Sequence, residues 1–257
     1  LVAFQPPLAG QILYHQGDNH APTSLTSLSQ TQLARVISVV LTTKTSVENL
    51  TVQQVVALGR SPYTNIWGTL RAHDHNKVQW AMHAVGITAL QNRMVQTLSD
   101  GERQKMMIAK ALAQDTPVML LDEPTAFLDY KSKVEMMTLL SALAHETNKM
   151  VLLSTHDLEQ AVHTADALWV VTKGQAQHSN PQDTTTNHTN HLAHLQVLEK
   201  RCLTNEQGQQ YMAFCTEGQA ESPQQAQLTL ASTTDYRQRT QALLQLLGEE
   251  LATFNRL

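Results

Sequence analysis

Four short apolar runs set the strongest limit on how this chain can fold: Val36 to Leu41, Val118 to Leu121, Val151 to Leu153 and Leu168 to Val171. A strand with one wet face alternates polar and apolar residues, whereas an unbroken run fits a strand covered on both faces. Helical periodicity fills the intervals. Thr51 to Leu58 carries Val52, Val55 and Val56, with Gly59 as its stop, and a second helix is expected from Asn76 to Val85, closed by Gly86. Met106, Ile108, Ala109, Ala111, Leu112 and Ala113 predict a helix over 99–114 with Ser99 near its cap. Lys131 to Glu146 sets Val134, Met137, Leu140 and Ala144 on one stripe, and Leu158 to Ala165 supplies a helix before the last run. Strands alternating with helices predict an α/β fold on a parallel sheet with right-handed crossovers.

Before the first run, Gly10 to His15 predicts a short strand ending in the turn-prone Gly17, Asp18 and Asn19. Beyond Gly174 the composition shifts to Gln, Asn, Thr, Ser and His, and Asp183 to Asn187 has no apolar period, which predicts a linker. Gln196 to Cys202 and Tyr211 to Cys215 are expected to pair as a hairpin about Asn205 to Gly208. Leu243, Leu244, Leu247, Leu251 and Phe254 mark a final helix from Tyr236 to Phe254. The organisation expected is a main domain over 1–178, with a helical subdomain at about 43–100, then a linker and a small α+β extension over 179–257.

The formal net charge of -4 argues against a nucleic-acid partner, for which a basic face is the usual footprint. No apolar run approaches the roughly 20 residues of a membrane-spanning helix, and no leader pattern opens the chain, so a cytoplasmic position is expected. Cys202 and Cys215 lack metal-ligand spacing and read as reduced thiols. His188, His191 and His194 would be distributed around a helix, without a carboxylate or cysteine at ligand spacing. Those three, with His73 and His75, read as solvated polar residues.

Chemistry concentrates in three pieces: Leu98 Ser99 Asp100 Gly101 Glu102, then Val118 to Pro124 with Asp122 and Glu123, then Ser154 Thr155 His156 Asp157. Ser99 and Glu102 have capping-box spacing, and a helix start of that kind attracts an anion through its amides and dipole. Asp122 closes an apolar strand, where a carboxylate is costly unless it faces a site. Taken singly, each piece would be ordinary: a capped helix, a loop carboxylate pair, a histidine after a strand. Their order and spacing resemble the nucleotide-binding subunit of an ABC transporter, over residues 1 to about 175.

The resemblance implies a P-loop NTPase (ABC ATPase) fold with a helical subdomain, and ATP and Mg2+ as its ligands. It implies that Asp122 holds Mg2+ through water, that Glu123 orients and deprotonates the attacking water, and that His156 contacts the γ-phosphate. Ser99, Asp100, Gly101 and Glu102 would bind the γ-phosphate held by the other subunit, with Asp100 and Glu102 replacing a glycine and the glutamine of the family's common L-S-G-G-Q. Asp129 would belong to the loop that communicates between the two nucleotide sites. Thr42 stands where the family usually places a metal-sensing glutamine. Gly59 Arg60 Ser61 Pro62 Tyr63, with Trp67 and Gly68, look like a stretch of the importer ATPases for iron-siderophore, haem and cobalamin.

The family's phosphate-cradling loop, G-x-x-x-x-G-K-S/T, does not occur in the 257 residues. The chain is therefore expected to begin after that loop, and alone to bind ATP poorly and hydrolyse none. The function implied is the ATP-hydrolysing subunit of an importer, with an iron-siderophore or related chelate as its cargo class. It would be peripheral on the cytoplasmic face of the inner membrane, paired with a second ATP-binding subunit, seated on transmembrane permease subunits and served indirectly by an external substrate-binding protein. The alternative is a non-catalytic partner or regulatory protein that naturally lacks the loop. A chromosome-maintenance head split by a coiled coil fits poorly, because Leu41 to Ser99 has no sustained heptads and contains Pro62.

Overall fold

A computed structural model describes residues 12–14, 21–42, 49–173, 193–204 and 210–216. The chain divides into two compact units, Leu1–His156 and Asp157–Leu257. In the first, β1 (Leu13–Tyr14) pairs antiparallel with β2 (Thr23–Ser24), and α1 (Gln30–Val36), capped by Ser29, runs directly into β3 (Ile37–Val40). There follow α2 (Val52–Ala57), α3 (Ala72–Ala84), α4 (Asp100–Ala113), β4 (Val118–Asp122), α5 (Tyr130–Thr147) and β5 (Met150–Ser154). Strands β3, β4 and β5 form a parallel sheet in that order, with Val40 opposite Leu121 and Asp122 opposite Ser154. The core gathers on Val40, Met82, Ile108, Leu112, Met119 and Leu140, all essentially inaccessible.

The helical insert departs from its predicted boundaries for physical reasons. Thr51 and Gln54 form a capping box that starts α2. Gly59 does not stop the chain's helical course, which continues as a 3-10 turn, Leu58–Tyr63, with Pro62 inside it. A Cβ on Gly59 would overlap the Lys110 carbonyl oxygen of α4, so the glycine permits a close helix crossing instead of ending a helix. Helix α3 begins before Asn76 because the Asp74 carboxylate accepts the Arg71 backbone N–H at 2.9 Å and caps its first turn. In α5 the buried residues are Met136, Met137, Leu140 and Leu143, and Val134 is exposed. The buried stripe is rotated from the one predicted, since both methionines turn inward.

The second unit contains α6 (Leu158–Thr164), β6 (Ala167–Lys173), β7 (Ala193–Thr204) and β8 (Gln210–Thr216). The run Leu168 to Val171 does form a strand, but it pairs antiparallel with β7 in a β6-β7-β8 sheet instead of extending the parallel one. Trp169 is 52% exposed, so the strand is not covered on both faces as an unbroken apolar run suggests. The predicted hairpin is present as β7 and β8, with Cys202 opposite Met212 and Cys215 opposite Glu199, so the cysteines occupy different rungs. The Asp183–Asn187 linker, His188, His191, the Asn205–Gly208 turn and the Tyr236–Phe254 helix lie outside the described residues. Among the described residues no helix is long and apolar enough to cross a membrane.

Candidate functional site

Parallel pairing brings the carboxyl ends of β4 and β5 level, and the chemistry predicted from sequence assembles there. Asp122, the last residue of β4, stands between two hydroxyls. Thr42, just past β3, donates to the Asp122 carbonyl oxygen at 2.7 Å and to Oδ2 at 2.9 Å. Ser154, the last residue of β5, donates to Oδ1 at 2.8 Å. Each carboxylate oxygen thus accepts one hydroxyl, one from the loop after β3 and one from the end of β5, and keeps further acceptor capacity.

Glu123 follows with φ +43°, a left-handed backbone that a non-glycine residue rarely adopts. Its N–H donates to Ser154 Oγ at 3.0 Å, and its carbonyl accepts the Ala126 N–H at 3.0 Å. The turn continues with the Leu128 N–H on the Thr125 carbonyl at 3.3 Å and with Phe127 also left-handed at φ +66°. The reversal directs the Glu123 side chain to His156, whose Nδ1 is 3.3 Å from Oε1. Both side chains are substantially exposed, Glu123 at 41% and His156 at 74%, so water and a ligand can reach them.

The donor set fits magnesium bound through water. Among the described residues no group of three or more His, Cys, Asp or Glu is placed to enclose a metal. Mg2+ commonly retains several waters and takes one or two carboxylates together with substrate phosphates. Asp122, fixed by two hydroxyls, and the neighbouring Thr42 match that mode better than a closed protein cage.

The Leu98–Glu102 piece forms the start of α4. The Glu102 N–H donates to Ser99 Oγ at 3.3 Å, while Ser99 N–H and Oγ both donate to Glu102 Oε2 at 2.8 Å. Those Ser99 bonds, aided by Arg93 at 3.3 Å from Oε1, hold the Glu102 carboxyl below its ordinary range. Gly101 lies against the loop leaving β4: a Cβ there would stand 3.9 Å from Leu128 Cδ2. Asp129 caps α5 by accepting the Ser132 N–H at 2.8 Å, the main reason its carboxyl is also held low. Asp122, Glu123, His156 and Thr42 therefore converge, Ser99 to Glu102 build the adjoining helix start, and Asp129 anchors the next helix. Two roles escaped sequence reading. Arg93 supports Glu102 from outside the motif, and Ser154 ties Asp122 to Glu123. The signal for Ser154 was its place at the end of an apolar run, matching that of Asp122.

The family description "ABC transporter" matches residues 1–126. The ferric enterobactin transport ATP-binding protein FepC of Escherichia coli is 40% identical over 144 residues, covering 56% of this chain and 53% of that protein. The achromobactin transport ATP-binding protein CbrD of Dickeya dadantii is 36% identical over 165 residues, covering 64% of this chain and 59% of that protein. The chain spans about half the length of the curated relatives it matches. Among solved structures, cbiO1 from Clostridium perfringens, part of the ABC transporter complex cbiONQ, superposes with a TM-score of 0.55 at 26% identity, over 65% of this chain and 63% of that one. The dimeric ATP-binding cassette MJ0796, bound to ADP and Pi, gives a TM-score of 0.52 at 25% identity, over 65% and 70% of the two chains. Residues 1–126 thus resemble the ABC transporter family, and the fold is that of solved ATP-binding cassettes.

Proposed function

We propose that this chain is the ATP-binding and ATP-hydrolysing subunit of an ABC importer whose cargo is an iron-siderophore or a related chelate. The observation that carries the reading is the convergence of Asp122, Glu123 and His156 at the carboxyl ends of parallel strands, with Thr42 and Ser154 fixing the first carboxylate. Mg2+, when bound with ATP, neutralises charge on the β- and γ-phosphates. Asp122 and Thr42 would hold its water shell. Glu123 accepts the proton of the attacking water, and His156 keeps the carboxylate aimed while its ring reaches the γ-phosphate. The start of α4, with Ser99, Asp100, Gly101 and Glu102, offers its N-terminal dipole to the phosphate of a second ATP-binding subunit. Asp129, capping α5 beside that loop, is assigned to communication between the two sites. The partners are that second subunit and transmembrane permease subunits, with an external substrate-binding protein acting through the permease, at the cytoplasmic face of the membrane. The cargo class is supported by the names of the relatives and by the Gly59–Tyr63 stretch.

The test supplies a phosphate cradle. Alone, the chain is expected to show no Mg-dependent ATP turnover. Fused behind the P-loop segment of the ferric enterobactin relative, it is expected to hydrolyse ATP, and Glu123→Gln to lower kcat by about 10²–10⁴-fold with nucleotide affinity retained. A fusion that binds Mg-ATP yet turns over equally with either residue would overturn the reading and leave a non-catalytic partner in its place.

A further inference from the structure

Resting on the reading just given, we infer that Ser154 is the positioning residue that sets Asp122 and Glu123 as one unit, through a single hydroxyl shared between the carboxylate of one and the backbone of the other. Ser154 is the only hydroxyl among the described contacts that touches both residues. Its Oγ donates to Asp122 Oδ1 at 2.8 Å and accepts the Glu123 N–H at 3.0 Å, using its one proton and one lone pair in a fixed direction. The strand register imposes this placement, since Ser154 lies directly opposite Asp122 at the common end of β4 and β5.

The consequence is mechanical. Glu123 needs its left-handed backbone to swing the carboxylate to His156, and such a conformation persists only when surrounding contacts hold it. The bond from the Glu123 N–H to Ser154 is the contact that does so on the strand side. Thr42 cannot substitute, because both of its bonds end on Asp122. Removing the Ser154 hydroxyl therefore frees one oxygen of Asp122 and the backbone of Glu123 together, leaving the nucleotide-contacting atoms chemically intact.

The experiment has two arms. In the full chain, NMR amide exchange at Glu123 is expected to accelerate about five- to tenfold in Ser154→Ala, the worth of one ordinary hydrogen bond, and to return to the parent rate in Ser154→Thr. Unchanged exchange in Ser154→Ala overturns the inference. Should the alanine variant fold poorly, Ser154→Val against Ser154→Thr compares nearly equal shapes differing in the hydroxyl, and equal exchange in that pair overturns it as well. In the P-loop fusion, Ser154→Ala is expected to lower kcat about tenfold with KM for ATP unchanged, and Ser154→Thr to restore it. A fusion sensitive to Glu123→Gln but indifferent to Ser154→Ala sinks the inference and spares the functional reading. A fusion indifferent to Glu123→Gln sinks that reading, and the exchange arm still decides whether Ser154 holds the turn.

Discussion

At the start of α4 one carboxylate serves both a helix and a motif. Glu102 receives the Ser99 N–H and hydroxyl, and these bonds favour its charged form. A carboxyl whose folded pKa lies below its unfolded value stabilises fully above the unfolded value and loses that contribution as pH falls through the folded one. The ordinary value is 4.5, so acid titration of stability is expected to show a loss beginning as pH drops through about that point. Glu102→Gln should keep the cap, since glutamine also closes a capping box, and flatten this part of the profile. Ser99→Ala is expected to cost about 1 kcal/mol in urea unfolding at neutral pH. The chemical residues at this scale were legible because Asp122, Glu123, His156 and Ser99 sit at fixed distances from apolar runs or caps. Ser154 and Arg93 were not, because their roles depend on strand register and on a loop approaching α4 from outside its sequence neighbourhood.

Between elements, Arg60 joins its own 3-10 turn to α3 and to the end of α4. Its Nε is 2.9 Å from Asp74 Oδ1 in α3, its Nη1 donates to the Ala113 carbonyl at 2.7 Å, and its guanidinium lies 4.0 Å from the centre of the Tyr63 ring. Ala113 is the last residue of α4, so its carbonyl has no intrahelical partner and the dipole favours a cation there. Both charged side chains are buried, and the backbone bond from Arg71, with Arg60 beside it, holds the Asp74 carboxyl below its usual range. Arg60→Ala would leave Asp74 buried without its cation and the end of α4 uncapped. The expected loss is about 3–5 kcal/mol in chemical unfolding, and a loss under ~1 kcal/mol would contradict this account. The sequence showed the Gly59–Tyr63 stretch but read its glycine as a stop. Helix crossing distance is a tertiary quantity, invisible to periodicity, and so is the partner of a lone arginine.

For the molecule as a whole, apolar runs revealed strands without revealing their neighbours. Val118 to Leu121 entered the parallel sheet as expected, whereas Leu168 to Val171 joined an antiparallel one, because the same residue pattern permits either pairing. The buried core cluster draws entirely on the first unit, from Val40 to Leu143, with Val151 and Leu153 packed against it. A chain ending at His156 is accordingly expected to keep a single cooperative unfolding transition by circular dichroism; a broad, non-cooperative melt would show that the core needs the second unit. The left-handed turn at Glu123 has a further consequence, for evolution in the laboratory. Glycine would relax that backbone and erase the carboxylate in one step. Selection for heat resistance alone therefore pulls this position toward a sturdier, silent protein, and only selection for turnover keeps the strained residue in place.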